Sequence, residues 1–77
     1  MPEFAVECRS DPQQGEVPER FGWPGRMLTV LDLIDRWEGE GDIYFRVRAD
    51  DDATYILRRS RDTGVWQIHF FREEGEP

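Results

Sequence analysis

Apolar and polar positions alternate with a period of two along most of this chain. In residues 3–9, Phe4, Val6 and Cys8 fall on one side and Glu3, Glu7 and Arg9 on the other. That is the mark of a half-buried strand. The alternation returns in 43–49, with Ile43, Phe45 and Val47 inward and Tyr44, Arg46 and Arg48 outward. In 53–59 Tyr55 and Leu57 turn inward, and Ile56 and Arg58 outward. In 65–71 Trp66, Ile68 and Phe70 turn inward, leaving Gln67, His69 and Phe71 on the outer face. Short Gly- or Asp-rich segments separate these runs: 38–42, 50–52 and Arg61-Asp62-Thr63-Gly64. In the last, Gly64 stands where a four-residue hairpin loop needs a left-handed residue. Runs of this length joined by such turns predict an antiparallel meander.

Two stretches break the pattern. Residues 10–20 hold two prolines, one glycine and almost nothing apolar, and read as a loop at the upper end of ordinary connection lengths. Residues 21–25, Phe-Gly-Trp-Pro-Gly, read as a turn in which Gly25 takes a positive φ. The segment 26–37 is ambiguous. Wound as a helix, it puts Met27, Val30, Leu31, Ile34 and Trp37 on one face and pairs Asp32 with Arg36. As a strand, it turns Leu31, Leu33 and Trp37 one way and Val30, Asp32 and Ile34 the other. No Ser, Thr, Asp or Asn caps the start of a helix here, and Gly25-Arg26 reads as a turn entering a strand. We favour a long, bent strand.

A trial register follows from keeping apolar residues on one face. Trp37 opposite Ile43 sets Asp32 opposite Arg48, and Ala49 opposite Ala53 sets Val47 against Tyr55 and Tyr44 against Arg58. This leaves Asp35 beside Phe45 on the inner face. Sheets twist and open edges are hazardous. The expected fold is therefore mainly β: a small antiparallel five-stranded meander curled into a half-open SH3-like barrel or roll. An α+β fold with 26–37 helical is the alternative. Residues 1–77 form a single small domain in this reading, with a first strand at 1–9, a loop at 10–20, a core meander at 21–71 and an acidic tail at 72–77.

Trp23-Pro-Gly-Arg26, the apolar run ending in Arg36-Trp37, Phe45-Arg-Val47, Tyr55-Ile-Leu57 and Thr63-Gly-Val-Trp66 form a familiar series. It resembles a family of short bacterial proteins, a domain of unknown function, in which these turns and core aromatics recur in this order. The likeness covers residues 21–71. It implies a strand at 26–37 and a cytoplasmic location, and no activity or catalytic residue.

Composition narrows the functional classes. Ten aromatics in 77 residues argue against disorder, although 35% of residues are charged. A core this small leans on large side chains, and Trp37 and Trp66 are each expected to bury on the order of 200 Å². Marginal stability makes a homodimer plausible. No apolar run approaches a membrane span, and the N-terminus lacks the layout of a signal peptide. One Cys cannot form an internal disulfide. The formal net charge is −7, and every basic residue is Arg. An acidic chain repels phosphate backbones at long range, so nucleic acid is disfavoured as a partner.

Candidate chemistry is sparse, and the expectation is a non-enzymatic protein without cofactor or metal. His69 reads as a surface histidine, since nucleophilic catalysis needs a Ser or Cys beside it and an orienting acid. Cys8 reads as a small buried hydrophobe. Asp50-Asp51-Asp52 has neither the spacing nor the glycine of a calcium loop and reads as a solvated turn. One feature rises above this background. Tyr44, Arg46, Arg48, Ile56, Arg58, His69 and Phe71 would lie side by side on the outer face of the last three strands. Arginine interleaved with aromatics on a sheet can hold single-stranded nucleic acid, an acidic protein surface, or the chain's own carboxylates. The reading we favour is a β-module acting through protein–protein contacts or self-association, with Ile56, Phe71 and the 10–20 loop as contact elements. A nucleic-acid accessory domain using the Arg face is the alternative, and an acidic DNA mimic ranks last.

Overall fold

The computed structural model describes the backbone of residues 4–71 and the side chains of 4–69. The expected acidic tail at 72–77 lies outside these residues. Six strands run in order: β1 Ala5–Asp11, β2 Gly15–Trp23, β3 Arg26–Glu38, β4 Asp42–Ala49, β5 Thr54–Ser60 and β6 Trp66–Phe71. Each pairs antiparallel with the next, giving an all-β meander. There is no helix among the described residues, and hence none long and apolar enough to cross a membrane.

The expected loop at 10–20 is instead a hairpin, which raises the strand count from five to six. Three residues, 12–14, make the turn, and Asp11 Oδ1 accepts hydrogen bonds from the backbone N–H of Gln13 (2.8 Å) and Gln14 (3.1 Å). Gly15 leaves the turn at φ 83°. Pro12 lies within the turn, where a missing N–H costs nothing. Pro18 stands opposite Cys8 where the β1–β2 register shifts, and bulges are among the few places a sheet accepts proline. Both prolines therefore fit a hairpin, and a proline count alone misleads. The turn at 21–25 is shorter than expected: Trp23 pairs with Arg26 across Pro24 and Gly25, and Gly25 has φ 82°.

The segment 26–37 is a strand, and it joins the two halves of the sheet. Arg26–Thr29 pairs with β2, whereas Val30–Glu38 pairs with β4. The Asp50 N–H donates to the Thr29 carbonyl at the handover. The twist carried through this corner lets the halves fold over one another, giving a half-open roll. Phe21, Phe45, Val47, Ala49, Tyr55 and Leu57 form the buried core. Phe21 meets Tyr55 edge-on at 5.1 Å between ring centres, so β2 closes over β5. Phe4, Val6, Leu28, Val30, Leu33, Ile43, Trp66 and Ile68 pack around this cluster.

The β4–β5 register is as expected, with Val47 opposite Tyr55 and Tyr44 opposite Arg58. In β3–β4, Asp32 does face Arg48, but Trp37 faces Tyr44 rather than Ile43. Of two register shifts in β3, between Val30 and Asp32 and between Leu33 and Asp35, the second accounts for the difference. They leave Leu31 and Ile34 without partners in β4. They also move Asp35 away from Phe45 to stand opposite Arg46, which relieves the buried carboxylate of the trial register.

Candidate interaction surface

The outer face of the second half-sheet is built in cross-strand rows. One row runs Trp37, Tyr44, Arg58, Gln67; the next runs Asp35, Arg46, Ile56, His69; the third runs Asp32, Arg48, Thr54, Phe71. The strand period thus puts all seven residues of the sequence-derived surface on adjacent rows. The Phe71 side chain lies outside the described residues. Ile56 is half-buried and His69 exposed, while Thr54 in the third row is buried.

Most guanidinium groups on this face meet carboxylates of the same chain. Arg48 Nη2 donates to Asp32 Oδ2 at 2.8 Å, and its Nη1 donates to Asp52 Oδ1 at 3.2 Å. These bonds push the already high Arg48 pKa further up. Arg46 lies 3.9 Å from Asp35. Across the molecule Arg9, Arg20, Arg36, Arg59 and Arg61 are likewise within 3.9 Å of an acid. Among the described residues Arg26 and Arg58 have no such partner. Arg58 sits beside Tyr44, whose ring stacks on Trp37 at 5.3 Å with the planes 2° apart.

The apolar part of the surface lies on β3, where the sequence reading did not place it. Leu31 is 50% exposed, Ile34 47% and Trp37 38%. Trp37 was expected to serve the core; it covers Tyr44 on the outer face instead. From Val30 to Glu38 the strand pairs only with β4, so its other edge has no partner among the described residues. A groove of about 500 Å³ lies between Gln13 and Gln14 of the first hairpin and Leu33–Arg36. The three-residue spacing of Leu31, Ile34 and Trp37 is in the sequence, but it fits a helix face equally well, so it did not by itself mark an exposed strand.

Other groups offer little chemistry. Cys8 is half-buried, less than expected. Burial pushes its thiol pKa up, Glu16 adds to this and Arg59 opposes it, so it is held as the unreactive thiol. The three adjacent Asp act locally: Asp51 accepts from Tyr55 Oη at 2.5 Å and from the Ala53 N–H at 3.1 Å, and Asp52 takes φ 73°. Burial, then the bond to Asp51 and its charge, push the Tyr55 pKa up to about 12. A second hollow of about 360 Å³ lies beside this pair, lined by Trp23, Arg26, Leu28, Asp51 and Tyr55. No cluster of three metal-ligating side chains occurs among the described residues.

No protein-family model matches the chain, and neither a curated protein nor a solved structure is significantly similar to it.

Proposed function

We propose that this chain is a non-enzymatic β-module that acts through protein–protein contacts, docking along the open edge of β3. The observation that carries the reading is the half-paired segment Val30–Glu38, which exposes Leu31, Ile34 and Trp37. An unpaired edge offers a row of N–H and C=O groups to an incoming strand, and its side chains supply the selectivity. The contact elements first expected, Ile56 and the 10–20 segment, give way to this edge. Ile56 is half-buried between Arg46 and His69, and 10–20 is spent largely on the β1–β2 ladder. The Arg face adds polar definition rather than a phosphate track, because Arg46 and Arg48 already face Asp35 and Asp32.

Photocrosslinking in the producing cell tests this reading. A photoreactive residue in place of Ile34 is expected to give a discrete protein adduct, and the same residue in place of Gln67 none. No adduct from position 34, or equal labelling from both positions, overturns it.

A further inference from the structure

We infer that the mouth of the roll, between the β2–β3 hairpin and the 50–53 turn, binds a free α-amino acid with a large apolar side chain. The site shares no residue with the Val30–Glu38 edge, and the inference stands apart from the docking reading above. It starts from the hollow of about 360 Å³ lined by Trp23, Arg26, Leu28, Asp51 and Tyr55. Cavities that take small molecules run from about 300 to 1,000 Å³, and barrel mouths are among their usual places. This hollow stands at the small end of that range, which calls for a small occupant.

Strand alternation builds the walls. Phe21 faces Leu28 across the β2–β3 ladder, and Trp23 faces Arg26 beside the turn. Phe21 lies in the core and Leu28 packs against it. Two residues further along each strand, Trp23 and Arg26 stand on the same inner face, beyond the end of the core. Tyr55 reaches the hollow from the other half-sheet, its ring edge-on to Phe21. The Phe4 ring lies 5.3 Å from the indole of Trp23 and holds it from one side. Trp23 nevertheless stays 41% exposed, so an apolar wall is left open where the two half-sheets part.

Charge selects the occupant. Seven arginines lie within 3.9 Å of acids of this chain, but Arg26 has no such partner among the described residues. Arg26 and Asp51 line one hollow without forming an ion pair. Asp51 is fixed instead by Tyr55 Oη, which donates to Oδ2 at 2.5 Å, and by the Ala53 N–H, which donates to Oδ1 at 3.1 Å. Each of its oxygens retains a lone pair for a further donor. The hollow thus offers one guanidinium, one carboxylate and the apolar surface of Trp23 and Leu28. Its complement is a zwitterion with one apolar arm. The ligand carboxylate takes the Arg26 fork, its ammonium donates to Asp51, and its side chain covers the indole. A simple anion would satisfy Arg26 but meet the like charge of Asp51. A simple cation would leave Arg26 unanswered.

Calorimetric titration of the full chain with L-phenylalanine at pH 7 tests the inference. Saturable heat is expected below about 10 mM. Three analogues leave the protein untouched: N-acetyl-L-phenylalanine lacks the ammonium, L-phenylalanine amide lacks the carboxylate, and glycine lacks the side chain. Each is expected to bind at least about tenfold more weakly. Arg26→Gln, which breaks no ion pair, is expected to keep the wild-type circular dichroism spectrum. It should weaken phenylalanine at least about tenfold and leave the affinity for the amide unchanged. No saturable heat up to about 10 mM, an analogue that binds as tightly as phenylalanine, or an Arg26→Gln protein that binds phenylalanine like the wild type overturns the inference.

Discussion

Tyr55 and Gly22 each do work at the residue scale that a single substitution exposes. Tyr55 is buried at its ring and bonded at its hydroxyl to Asp51, and its pKa is pushed up to about 12 against an ordinary value of 10.0. A raised phenol pKa means that the native state favours the neutral form. Its contribution is complete below pH 10 and is lost as pH climbs from 10 towards 12. Urea midpoints of the wild type should therefore fall across that window, and those of Tyr55→Phe should fall less. At pH 7 the same variant should be less stable by about 1–2 kcal/mol, from loss of a bond to a charged acceptor. Gly22 has φ 143°, and a Cβ there would stand 2.3 Å from the Arg26 carbonyl oxygen. Neither the backbone nor that carbonyl can yield while Trp23 stays paired with Arg26. Gly22→Ala should cost about 3 kcal/mol, read as a lowered denaturation midpoint with an unchanged slope.

At the scale of the element, β3 explains both what the sequence made legible and what it concealed. Strands β4, β5 and β6 were readable because their side chains obey a strict period of two, and that period also placed Tyr44, Arg46 and Arg58 on one face. In β3 two extra residues interrupt the period. Omit Leu31 and Ile34, and the remainder alternates cleanly: Leu28, Val30 and Leu33 pack on the core, while Thr29, Asp32, Asp35 and Trp37 are exposed. Restored, the two insertions create three- and four-residue apolar spacings that imitate a helix. Bulges are set by pairing with another strand, so local periodicity could not reveal them. The first hairpin was concealed for the opposite reason: with little apolar content, it is defined by turn chemistry at Asp11 and Gly15. A deletion experiment follows. Removing Leu31 and Ile34 together leaves Val30, Asp32, Leu33, Asp35 and Arg36 opposite Ala49, Arg48, Val47, Arg46 and Phe45, the partners they already have. That variant should fold, at a cost below about 2 kcal/mol. Deleting Arg46 from the regular β4 instead turns half the strand inside out against both neighbours. Cooperative thermal unfolding should survive the first deletion and vanish in the second.

For the whole molecule, the decisive quantity is how a net charge of −7 is distributed. The carboxylates beside Arg46 and Arg48 cancel the one face that could have tracked a phosphate backbone, and Arg58 alone does not replace it. A single-stranded oligonucleotide should show no binding even at about 50 mM salt, where counterion release favours it most. Retardation that disappears as salt is added would restore the nucleic-acid reading.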